Sequence, residues 1–141
     1  MPQLPSAVLF CCTMNAIRSP MAEGMLKAMF PKSMFVDSCG VKCGEVDGFA
    51  IAAMDEMGID ISKHRCKTFE DLEDTSFDLI VSLSPRAQHK AVELTRHMAC
   101  EVEFWHTFDP SIIEGSRDDR LKAYCDVRDF LLDRIRERFT R

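Results

Sequence analysis

What the sequence lacks removes several classes of protein before any motif is read. No apolar run is long enough to cross a bilayer: the run from Ala7 to Cys12 ends after 6 residues, where a membrane helix needs about 20. The opening Met1-Pro-Gln-Leu-Pro-Ser6 carries no basic n-region, so no export signal is expected and the chain reads as cytoplasmic. Positive charge is not in surplus. The net charge of -5 (18 Lys and Arg against 23 Asp and Glu) argues against a broad attraction to nucleic acid or to a membrane surface. Internal repeats, low-complexity tracts and linkers are absent too, which leaves a single domain over residues 1–141 as the expectation. The 7 cysteines are odd in number and follow no export signal, so reduced thiols are expected. Cys39 and Cys43 form a C-x3-C, but no second Cys/His pair with zinc-finger spacing follows, and no metal site is expected from them.

What is present is a balance of 46% hydrophobic and 29% charged residues, that of a chain able to bury a core. Short apolar runs alternate with amphipathic stretches. Ala7 to Cys11, Met34 to Ser38, Phe77 to Leu83 and Glu101 to Trp105 read as strands. Met21 to Phe30, Phe49 to Met57, Pro85 to Met98 and Asp118 to Phe139 carry apolar residues at spacings of three and four and read as helices. Repeated strand-helix alternation predicts an α/β fold with a doubly wound parallel sheet, because each crossover needs a helix to return the chain. Ligands in such sheets collect at the carboxyl ends of strands, so the segment after the first strand is the first place to look.

That segment, Cys12-Thr13-Met14-Asn15-Ala16-Ile17-Arg18-Ser19-Pro20, contains C-x5-R-S between an apparent strand and an apparent helix, with Ser19 at or near the N-cap and Pro20 in the first turn. A strand-loop-helix connection aims backbone N–H groups and the positive end of a helix at one point, which makes a nest for an anion. Arg18 adds a planar fork that grips two oxygens of a tetrahedral dianion. A cysteine at the start of the loop then lies beneath the anion, in a field that favours its thiolate. The plainer alternative stays open at this point: Cys11 and Cys12 as small apolar residues ending a strand, and Arg18 solvating a helix start.

This loop resembles that of the low-molecular-weight protein-tyrosine phosphatase family and its arsenate reductase relatives. The resemblance continues through Met54 to Arg65, Phe77 to Val81 and Trp105 to Pro110, and so covers nearly the whole chain. It implies a four-stranded parallel sheet in a flavodoxin-like three-layer sandwich, and a phosphocysteine mechanism with no metal or other cofactor. Carried over by position, Cys12 is the nucleophile and Arg18 binds the oxyanion together with the loop Thr13, Met14, Asn15, Ala16, Ile17 and Ser19. Ser19 also bonds the thiolate, and Asn15 holds a strained turn, a role suited to its tolerance of positive φ. His64 stands behind the loop. Asp109, in the only Asp-Pro pair of the chain, matches the general acid. From residue context alone Asp109 reads as an ordinary turn residue after a strand.

The implied substrate is a phosphorylated protein, phosphotyrosine above all, or a small aryl phosphate ester. Arsenate is nearly isosteric with phosphate, so the nest does not discriminate between them. The thioredoxin-coupled reductases place a second and third cysteine after the third strand, and Ser82 to Ala91 contains none, so reduction would need an external thiol donor such as glutathione or glutaredoxin. Ser111 and Ile112 stand where the phosphatases usually place tyrosines, and the tail from Trp105 looks more like the reductases. Ile17 replaces a cysteine common in the phosphatases. The expected order is therefore phosphatase first, arsenate reductase second, and an oxyanion- or phosphopeptide-binding module without turnover third. Met14, Ile17, Glu45 and Ile112 are the expected pocket rim.

Overall fold

The structure, a computed structural model, describes residues 4–73 and 76–140. Met1 to Gln3, part of the stretch in which no export signal is expected, lie outside them. Four strands, β1 (Ala7–Cys12), β2 (Phe35–Gly40), β3 (Leu79–Ser82) and β4 (Glu101–Phe104), form one parallel sheet in the order β2-β1-β3-β4. Helices α1 (Arg18–Met29), α2 (Gly48–Asp55), α3 (Pro85–Leu94) and α4 (Arg117–Phe139) supply the crossovers and the final cover. The strand order reverses at β1/β3, the switch point at which this architecture binds ligands.

Alternation along β1 builds the two cores. Val8, Phe10 and Cys12 join the core under α1, α2 and α4, with Met21, Met25, Ala53, Met54, Tyr124, Leu131, Ile135 and Phe139. Leu9 and Cys11 join the other, with Cys39, Ile80, Ala87 and Ala91 under α3. Helices thus cover both faces of the sheet in three layers. Among the described residues no helix is long and apolar enough to cross a membrane.

The element boundaries differ from the pattern-based ones for identifiable reasons. Helix α1 begins at Arg18, three residues before the apolar periodicity shows it, because its first turn is spent on polar Arg18 and Ser19. Ile17 is the N-cap, with φ -134° and no side-chain cap, so Ser19 lies within the first turn and not at the cap. α2 stops at Asp55, with Gly58 at φ 75° and the Ile59 N–H donating to the Met54 carbonyl at 3.1 Å, a left-handed helix ending that glycine adopts without penalty. α3 ends four residues early, where the Thr95 hydroxyl bonds back to the Ala91 carbonyl at 2.8 Å. β2 runs on to Gly40 and β1 to Cys12, so the two strands carry their pairing up to the loop.

Candidate active site

The loop from Thr13 to Ile17 joins the end of β1 to α1, and its backbone is oriented from outside. The carbonyls of Cys12, Thr13, Met14 and Ala16 accept from the N–H groups of Val41 (3.1 Å), Lys42 (2.8 Å), Gly44 (3.0 Å) and Asp47 (3.0 Å). A planar trans peptide points its N–H opposite to its C=O. With the carbonyls turned toward segment 41–47, the amides of Thr13, Met14, Asn15 and Ile17 face the other way. Side chains cap α2, α3 and α4 (Asp47, Ser84 and Ser116), whereas α1 has no side-chain cap. Its positive end therefore adds to the inward amides as an anion-binding concavity.

Asn15 is the one described non-glycine residue with positive φ, at 54°, and its fully buried side chain uses every polar atom it has. Nδ2 donates to Ser19 Oγ at 2.9 Å and to Ser38 Oγ at 3.0 Å. Oδ1 accepts from the Lys67 N–H at 2.9 Å, which fixes the amide orientation. His64 Nε2 lies 3.1 Å from both Asn15 Oδ1 and the Asn15 carbonyl. Both are acceptors, so Nε2 carries the proton; the other ring nitrogen, Nδ1, is 3.8 Å from Glu23 Oε1. Glu23 in turn accepts from Ser38 Oγ and pairs with Lys27.

Cys12 Sγ lies 2.9 Å from Ser19 Oγ, and Cys12 is 2% exposed. Because Ser19 Oγ already accepts from Asn15, its own proton is directed to the sulfur or to the Cys39 carbonyl, 3.5 Å away. Arg18 is turned inward, 9% exposed, with Nη1 donating to the Thr107 carbonyl at 3.0 Å. This bond ties the anion loop to the segment after β4. Two residues on, Asp109 caps the 3-10 turn Pro110–Ile112, its Oδ1 accepting from the Ser111 amide at 3.0 Å and the Ser111 hydroxyl at 2.7 Å. A second tie runs from the buried Tyr124, whose hydroxyl donates to Asp47 Oδ2 at 3.0 Å. Burial, then Asp47 and Asp109, raise the Tyr124 phenol well above its ordinary value.

Of the expected rim, Met14, Glu45 and Ile112 are exposed, and Ile17 is half-buried, packing against the core as the residue entering α1. The expectation of seven reduced thiols is corrected. Cys43 and Cys66 form a disulfide with a Cα–Cα distance of 5.4 Å, because β2 and the segment leading to Thr68 run side by side past Gly40. Sequence spacing held no trace of that meeting. The C-x3-C pair is split by the same fold, Cys39 pointing into the α3-side core and Cys43 lying in an exposed loop.

Gly40, Ser38, Ser84, Glu23 and Thr107 belong to the site and were missed. A Cβ on Gly40 would lie 2.7 Å from the Asn15 nitrogen and 2.6 Å from the Lys42 carbonyl oxygen, so only glycine lets the strand end approach the loop so closely. Ser84, the cap of α3, accepts from Thr13 Oγ1 at 3.0 Å. Gly40 and Ser84 had a readable signal in their place at strand ends. The others act through a hydroxyl, a carboxylate or a carbonyl whose direction no local pattern shows.

The family model described as low molecular weight phosphotyrosine protein phosphatase matches residues 7–130. An arsenate reductase of Bacillus subtilis is 31% identical over 130 residues, 92% of each chain. A glutaredoxin arsenate reductase of Synechocystis is 40% identical over 76 residues, 54% of this chain and 58% of the relative. A solved structure of an arsenate reductase in the phosphate binding state superimposes with a TM-score of 0.78 at 30% identity, covering 94% of this chain and 95% of the other.

Proposed function

The chain belongs to the low molecular weight phosphotyrosine protein phosphatase family, and on that premise we propose that it hydrolyses phosphate monoesters, of phosphotyrosine or of small aryl alcohols, through a phosphocysteine intermediate. The observation that carries this reading is the 2.9 Å approach of Cys12 Sγ to Ser19 Oγ at the head of α1, beside the inward-turned Arg18. The Ser19 hydroxyl stabilises the thiolate, and Arg18 and the loop amides hold three phosphate oxygens while sulfur attacks phosphorus. The P–O ester bond breaks as the P–S bond forms, and the leaving oxygen takes the proton of Asp109. Asp109, now a carboxylate, takes a proton from water. That water attacks phosphorus, inorganic phosphate departs and the thiolate is restored. Asn15 and His64 keep the loop in shape and touch no reacting atom. Binding without turnover is the third reading; it gives Asp109 no task.

A second reading, arsenate reduction, is favoured by the similarity to reductases over 92% of the chain. Cys12 would form the same adduct with arsenate, and an external thiol would attack its sulfur, the S–As electron pair leaving with arsenic as arsenite. Two thiols are oxidised to a disulfide for each arsenic reduced, and a glutaredoxin-type donor would restore the enzyme, in keeping with the second relative. A paired assay decides between the readings: p-nitrophenyl phosphate hydrolysis in one vessel, arsenate-dependent thiol oxidation with glutathione/glutaredoxin or thioredoxin in the other. Ester cleavage as the faster reaction supports the phosphatase; rapid arsenate reduction with negligible cleavage reverses the order.

A further inference from the structure

The anion loop is held by two separate segments, and the Cys43–Cys66 disulfide joins them. Segment 41–47 donates four backbone N–H groups to the loop carbonyls, and Cys43 lies between two of the donors, Lys42 and Gly44. Segment 64–68 grips Asn15 through His64 Nε2 and the Lys67 amide, and Cys66 lies between those two residues. Besides the disulfide, Gly40, at the end of β2 just before segment 41–47, meets segment 64–68, its N–H donating to the Lys67 carbonyl at 2.8 Å and its strand end bridging to Thr68. The covalent link thus closes a bracket around the loop, 23 residues apart in sequence.

We propose that Cys43–Cys66 is an exchangeable redox site at which an external thiol sets how tightly the neighbouring loop holds its oxyanion. Three observations carry this. Cys43 is an exposed residue in the segment between β2 and α2, and exposed disulfides are the labile ones. Each half of the pair has an exposed cation next to it in sequence, Lys42 beside Cys43 and Arg65 beside Cys66, with the exposed Glu45 two residues from Cys43, and such cations suit an anionic thiol such as glutathione. The residues next to each sulfur in sequence are those that orient the loop, so loosening the bracket acts first on the direction of the loop carbonyls and on the left-handed Asn15. The step balances as ordinary exchange. A donor thiolate attacks Cys43 Sγ and displaces the Cys66 thiolate, a second donor thiol resolves the mixed disulfide, and the donor leaves oxidised while Cys43 and Cys66 leave as thiols. Oxidation by a donor disulfide reverses it. In the oxidised form the amides are preorganised; in the reduced form anion binding carries the cost of ordering the loop.

The proposal rests on the oxyanion reading of the loop, and the test separates the two. In a full-length Cys12→Ser background, which removes the reactive thiol, binding of inorganic phosphate is measured by calorimetry before and after dithiothreitol, with alkylation and mass spectrometry mapping the bond. The expected result is a Cys43–Cys66 linkage in the untreated protein and a roughly tenfold weaker phosphate affinity after reduction. Adding Cys43→Ala and Cys66→Ala should give the weak affinity and abolish the response to dithiothreitol. Equal affinity in both redox states, or free thiols at both positions under oxidising conditions, overturns the bracket while leaving the oxyanion site standing. No phosphate binding in either state overturns the oxyanion reading and the bracket with it. If the added pair of substitutions prevents folding, the reduction arm with the natural pair still separates these outcomes.

Discussion

Cys11 and Cys12 are neighbours in sequence and sit in opposite environments. Cys12 follows Val8 and Phe10 to the α1 side of the sheet and meets Ser19 Oγ at the head of the helix. Cys11 follows Leu9 to the α3 side, fully buried beside Cys39, its thiol donating to the Val81 carbonyl at 3.7 Å. Burial first, then the neighbouring Cys39 and Cys12, push the Cys11 thiol well up, so it stays protonated. The lesson is that the residue type carries no reactivity of its own. Side-chain alternation along one strand assigns one thiol to the head of α1 and the next to a dry core, and a one-residue slip would exchange them.

The largest effect that bears on this contrast is expected from Cys12→Ser, which should lower p-nitrophenyl phosphate turnover by at least about a thousandfold while phosphate still binds. Cys11→Ala should leave turnover within about threefold and reduce stability by about 1–2 kcal/mol through the small cavity it opens. Retained turnover in the first variant, or loss in the second, would invert the assignment. Next in size, Arg18→Lys keeps the charge but not the fork, and kcat/KM should fall several hundredfold, on the order expected for a lost oxyanion contact. A loss of only a few fold would show that charge, not bidentate geometry, is what the loop needs. Asp109→Asn should cost about a hundredfold with alkyl esters and clearly less with p-nitrophenyl phosphate, whose leaving group needs little help from a proton; an equal loss across leaving groups removes Asp109 from the acid role.

The smallest expected effect concerns the dry side alone. Burial raises both Cys11 and Cys39 above the ordinary thiol value. Below about pH 8.5, where an unfolded cysteine titrates, these thiols are protonated in both states and their contribution to stability is fully present. As pH rises further the unfolded chain loses the protons first, so it binds fewer than the folded chain and stability falls, by up to about 1.4 kcal/mol per pH unit for each thiol. Cys11→Ala should flatten this alkaline limb in urea unfolding midpoints followed from pH 7 to 10. An unchanged slope would mean that Cys11 is less isolated from water than its position implies.

The α/β class, the strand and helix count and the place of the anion loop were legible because each rests on a local period or on the residue types at one crossover. Cys12, Arg18 and Asp109 were singled out by spacing and resemblance together. The structure brings Arg18 to the segment carrying Asp109 through the Thr107 carbonyl, and their catalytic roles rest on the proposed mechanism. Gly40 was not legible, since its need for a bare Cα comes from the approach of Asn15 and Lys42, a contact between chain segments. Nor was the Glu23–Ser38–Asn15–Ser19 chain of hydrogen bonds, which draws on a helix, a strand and a loop.

The sequence by itself determined which residues repeat at strand and helix periods, and therefore the layered sheet and the loop at its switch point. Period and turn chemistry are properties of neighbouring residues, so a linear reading reaches them. Only the tertiary structure decided that Cys43 meets Cys66 and not Cys39, that Ile17 leans on the core, and that the loop carbonyls are drawn outward by segment 41–47. Those outcomes depend on the direction of side chains and peptide planes after distant segments have packed, and no single stretch of chain contains that information.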